Sequence, residues 1–164
     1  MSAYITSMTP MTDEECLLAA LAELGFDRSK VEVHANPVAL VGYAGDRRQQ
    51  TAHLVIRRQH VGSMSNDIGF LATETGYRAI VSDYDRARYG QAWLVRLGAC
   101  YQQYLAAKRD RLAEEERRRL EVERQRVVEA QRAAIHERAR TLGYRVEETR
   151  DGQTLRLALI KRRY

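Results

Sequence analysis

The chain has 164 residues, of which 45% are hydrophobic and 30% charged, with a formal net charge of +5. That size and apolar content suit one ordered domain with its own core, and the two prolines, with no glycine-, serine- or proline-rich tract, exclude a long flexible linker. No run approaches the length needed to span a bilayer, and no basic segment followed by a long apolar one opens the chain, so a soluble, cytoplasmic protein without membrane contact is expected.

Residues 2–8, SAYITSM, read as a short strand that ends before Pro10. TDEECLLAALAELGF then has the marks of an amphipathic helix over 13–24. Thr12 or Asp13 can cap it, acids fill its first turn, Leu17, Leu18, Leu21 and Leu24 recur at helical spacing, and Gly25 stops it. KVEVHA and PVALVGY read as two strands joined at Asn36-Pro37, and AGDRRQQ as a polar turn. TAHLVIRR alternates, with Ala52, Leu54 and Ile56 on one face and His53, Val55 and Arg57 on the other. After the loop HVGSMSN, NDIGFLATETGYRAIVSDYD supplies two strands that meet at Glu74-Thr75-Gly76. Together these strands predict an antiparallel meander covered by the short N-terminal helix.

From Gln91 to Leu142 there is no proline and one glycine, Gly98. A helix of about fifty residues would be about 75 Å long, so it either protrudes or folds back at an unmarked bend. Its beginning places Trp93, Leu94, Leu97, Tyr101, Tyr104 and Leu105 on one buried face. Residues 105–140 are expected to protrude or to pack on a partner. The run from Lys108 to Arg140 holds eleven basic and eight acidic residues, close to balance, with Glu114 and Arg118 among the favourable four-residue pairs. Leu105, Leu112, Leu120, Val127, Ile135 and Leu142 draw a thin apolar stripe, while Arg109, Glu116, Arg124 and Gln131 occupy the places of a second row. Such a stripe suits loose docking, including a homodimer through the long helix, better than a tight coiled coil.

TLGYRVEETRDGQTLRLALIKRRY closes the chain as a β-hairpin turning at Asp151-Gly152, expected to join the sheet. LAELGF, VEVHA and TAHLVIRR are echoed by ARTLGY, RVEET and TLRLALIKRR, which fits either a duplicated helix-strand-strand unit or two ordinary helix stops. The fold class is therefore α+β: one domain over 1–164, an antiparallel meander with a short N-terminal and a long C-terminal helix, closed by a hairpin.

Little of this resembles a reactive site. Cys16 and Cys100 lie far apart without a CxxC motif, and His34, His53, His60 and His136 share no ligand spacing. No metal, cofactor or catalytic residue is assigned. Asp83 and Asp85, with Asp67, lack an accompanying histidine, lysine or glycine-rich loop and fit turn chemistry. Neither a phosphate-cradling loop nor a serine-hydrolase elbow occurs. Tyr77, Tyr84, Tyr89, Tyr101 and Tyr104 cluster where meander meets long helix and form the candidate partner surface. Arg57, Arg58, Lys161, Arg162 and Arg163 form the candidate basic patch, read either as a nucleic-acid face or as protection of an edge strand.

In their order, MSAYITSMTPMTDEECLLAALAELGF, NDIGFLATETGYRAIVSDYD and LGYRVEETRDGQTLRLALIKRRY resemble the domain of unknown function 1257 family, the hypothetical chloroplast reading frame 35-like proteins. Tyr84 and Tyr164 stand where that family often has tryptophan, and the charged helix is longer than usual. The resemblance implies no catalytic residues and an association with AAA+ ATPases. The expected function is thus a non-catalytic accessory or adaptor protein with a protein partner. The alternative is a nucleic-acid-binding module using the basic strands and arginine-rich helix.

Overall fold

The computed structural model describes residues 3–152 and 154–161. The fold is α+β, and the chain divides into two compact units, Met1–Asp110 and Arg111–Tyr164.

In the first unit, β1 (Tyr4–Met8) is followed by α1 (Glu14–Glu23), whose start is set by the Asp13 carboxylate accepting the Cys16 N–H at 3.0 Å. At its end Gly25 adopts φ 98°, and the Phe26 N–H returns to the Leu21 carbonyl. Next come β2 (Val31–Val41), β3 (Arg47–Ile56), the single turn α2 (Arg58–Val61), β4 (Ile68–Thr73), β5 (Gly76–Ser82) and α3 (Arg86–Tyr89). The sheet order is β1-β5-β4-β3-β2, with every neighbouring pair antiparallel. The meander β2 to β5 is as expected, while β1 joins it on the far side, beside β5.

Two local expectations are corrected. Asn36-Pro37 does not divide β2. The strand runs through it, and its pairing with β3 slips between Val33 and Val38 instead. Proline is accommodated because β2 is an edge strand and Pro37 needs no ladder bond. The polar turn is also shorter than AGDRRQQ. It closes where the Gly42 N–H reaches the Asp46 carbonyl, and Arg47 onward belongs to β3. On β3 the expected face is corrected as well: Ala52 packs with Val55, Leu40 and Ile80, not with Leu54 and Ile56.

α4 (Gln91–Thr141) runs as one helix of 51 residues. Its first turns carry Trp93, Leu97 and Tyr101 into the main core, against Cys16, Leu17 and Leu21 of α1 and Leu54, Ile56, Ile68 and Phe70 of the sheet. Each fully buried side chain of this kind stabilises by about 1.5–3 kcal/mol. Phe26, Tyr89 and Trp93 pack edge to face or tilted, with centroids 5.4–6.2 Å apart.

The second unit holds the rest of α4 and the hairpin β6 (Tyr144–Asp151) and β7 (Thr154–Lys161). Here too an expectation is corrected: the hairpin forms its own two-stranded sheet and does not extend the five-stranded one. Its turn begins one position later than Asp151-Gly152, since Asp151 pairs with Thr154 and Gly152 takes φ 59°. A helix ending at a glycine with positive φ, followed by two antiparallel strands, thus occurs twice along the chain, at Gly25 and at Gly143.

Candidate functional site

The five tyrosines do not form a common surface. Tyr77, Tyr89 and Tyr101 are buried, whereas Tyr84 is 61% and Tyr104 37% exposed. The Tyr101 hydroxyl accepts the backbone N–H groups of Thr12 and Asp13, both at 3.1 Å. The Tyr77 hydroxyl donates to Glu14 at 3.1 Å, and burial followed by that carboxylate pushes its pKa up to about 12. Tyr104 donates to Glu23 at 2.7 Å. Tyr101 and Tyr104 thus tie α4 to α1 and the residues that enter it, and Tyr77 ties β5 to α1. Their clustering in sequence reflected core packing, which leaves Tyr84 and Tyr104 as the members that reach solvent.

Of the candidate basic patch, Arg57 and Arg58 lie in the first unit. Arg57 is held between Glu32 at 2.5 Å and Asp67 at 2.9 Å, so its charge is matched on the spot. Arg58 donates its guanidinium to the Tyr43 carbonyl and its N–H to Asp67 at 2.7 Å. Lys161 belongs to the separate hairpin sheet, and Arg162 and Arg163 lie outside the described residues.

The aspartates have separate tasks. Asp67 is fully buried and also accepts the Val41 N–H at 2.8 Å, tying the loop after α2 to β2. Asp85 is buried and accepts from Ser65 Oγ at 2.6 Å, Ser82 Oγ at 2.5 Å and the Asn66 N–H at 3.3 Å. Asp83 is exposed near Arg86, at 4.0 Å. Donors that already satisfy two buried carboxylates describe a pair of loop anchors, not an acid–base couple. Among the described residues no group of three or more His, Cys, Asp or Glu side chains is placed to hold a metal ion. No described helix is long and apolar enough to cross a membrane.

The second unit presents the more informative surface. Among its described residues Ala139 is the buried apolar side chain, while Leu112, Leu120, Val122, Val127, Val128, Ile135, Leu142, Leu159 and Ile160 are 40–65% exposed. The hairpin and α4 are linked by a charged contact. Glu148 takes Arg132 at 2.5 Å and His136 at 2.5 Å, and these partners, Arg132 first, lower its pKa to about 2. The sequence signal for this surface was the seven- and eight-residue stripe. What the sequence did not show was that the hairpin leaves most of that stripe uncovered.

Charge is divided as unevenly as burial. Residues 1–110 carry twelve basic and twelve acidic side chains, and residues 111–164 carry fifteen and ten, so the whole net charge belongs to the helix–hairpin unit. No family model, curated protein or solved structure matches the chain.

Proposed function

We propose that the protein is a non-catalytic accessory or adaptor protein whose helix–hairpin unit binds another protein. One observation carries this reading: among the described residues of the second unit, nine large apolar side chains are exposed beside one buried alanine. A two-stranded sheet on a single helix is marginal without a further apolar surface, and a series of exposed apolar side chains is what a partner would cover. The resemblance to the domain of unknown function 1257 family adds an AAA+ ATPase as the first partner to look for. Affinity purification from the native cell, quantified by mass spectrometry, is the test. A stoichiometric protein partner that is lost from an Ile135→Asp variant is the expected result, and recovery of the chain without any such partner refutes the reading.

The second reading, nucleic-acid binding, rests on the concentration of the entire +5 charge in residues 111–164. Binding that weakens steeply between low and physiological salt, as phosphate contacts require, would favour it. Absence of a gel shift at low salt removes it.

A further inference from the structure

The two edges of the five-stranded sheet are built differently. β2 carries the charged Glu32 and the proline Pro37, and its pairing slips twice, between Val33 and Val38 and between Ala39 and Val41. Such devices keep other strands from pairing with an edge. β1, YITSM, has no charge and no proline, and all five of its residues pair in regular register with β5. Its outer side is accessible, with Ile5 37% and Met8 52% exposed.

The backbone direction follows from the bonds that bracket the strand. The Thr9 N–H donates to the Tyr77 carbonyl, and the Asp83 N–H donates to the Ala3 carbonyl. Positions 3 and 9 are therefore bonded to β5. By the alternation of an antiparallel ladder, the N–H and C=O groups of Tyr4, Thr6 and Met8 point away from the sheet.

We infer that this edge pairs antiparallel with β1 of a second copy of the chain, with Thr6 opposite Thr6 across a two-fold axis. In that register Tyr4 faces Met8 of the second copy, so all three outward positions meet outward positions, giving about six backbone hydrogen bonds. No like charges meet, because the strand has none. On the helix-facing side, Ile5 of the second copy falls opposite the small Ser7. Ser7 lines, with Ile5, Ala79, Val81 and Leu94, a cleft of about 270 Å³ that can receive it. The side-chain sizes and the absence of charge favour a second copy over a charged peptide from another protein. All residues of this interface belong to the first unit.

Light scattering and sedimentation of the full chain across a concentration series test the inference. The expected result is a dimer that Thr6→Lys, which sets two ammonium groups face to face, weakens at least about tenfold. A Thr6→Cys variant should be joined into a covalent dimer by a short thiol-reactive cross-linker, since directly paired residues lie about 5.5 Å apart at Cα. That readout stands even if Thr6→Lys disturbs folding. A chain that stays monomeric overturns the inference. So does a dimer that tolerates Thr6→Lys but is dissolved by Leu120→Asp on α4, or a Thr6→Cys protein that fails to cross-link.

Discussion

Tyr101 sits at the end of the α4 segment packed in the main core, and its hydroxyl receives two N–H groups from the chain entering α1. Replacing it with phenylalanine keeps the packing and leaves both donors without that acceptor. Tyr101→Phe should therefore cost about 1–3 kcal/mol in a urea titration, with an unchanged denaturant slope. Asp67 is the other residue on which distant segments depend, because its carboxylate meets Arg57, Arg58 and Val41. Asp67→Asn leaves Arg57 with Glu32 alone and should cost about 3 kcal/mol or more by the same measurement. Neither role was legible in the sequence. A tyrosine at helical spacing announces an apolar face, but the peptide group its hydroxyl meets lies 88 positions away. The Asp13 cap, by contrast, was readable, since its bond to Cys16 spans three residues and needs no tertiary context.

Among elements, the hairpin has a charged contact with α4 that pH can break. Glu148 titrates near 2 in the folded chain against an ordinary 4.5, with Arg132 as the main cause and His136 next. A depressed carboxylate pKa stabilises the folded contact above the unfolded value, so the support is complete above about pH 4.5 and is lost as pH falls towards 2. Amide hydrogen exchange in β6 and β7 should accelerate over that window, relative to β4 and β5, after correction for the intrinsic rate. Glu148→Gln should show the faster exchange at neutral pH and abolish most of the acid step. The turn into β5 is guarded sterically instead. Gly76 has φ 141°, and a Cβ there would lie 2.4 Å from the Thr9 carbonyl oxygen. Gly76→Ala should lower the melting temperature by several degrees, the response to a loss of about 1–3 kcal/mol in a domain this size. Element types and most boundaries were legible, because capping, glycine stops and alternation act within a few residues. Sheet membership was not. Whether β6 and β7 join β2 and β3, or whether Pro37 ends a strand, depends on which neighbours the strand acquires, and a proline is harmless on an edge without a bonded neighbour.

At the scale of the whole molecule, burial and charge are assigned to different units: the first has the core and no net charge, the second has the net charge and little core. Substitutions on the exposed stripe should accordingly separate binding from folding. Leu120→Asp and Ile135→Asp, at side chains 59% and 40% exposed, should change the thermal midpoint by less than the Tyr101 substitution does while abolishing capture of a partner protein. The sequence marked the stripe but assigned the tyrosines to the same task, because exposure of an aromatic residue is decided by contacts far away in the chain. The bulged edge at His34–Pro37 carries a further consequence. A sheet that can lengthen at one side only cannot propagate: joining two copies consumes both plain edges and leaves a slipped, proline-bearing strand at each end. The slipped pairing of β2 is thus a terminator for the five-stranded sheet, restricting the growth of that sheet to a closed pair.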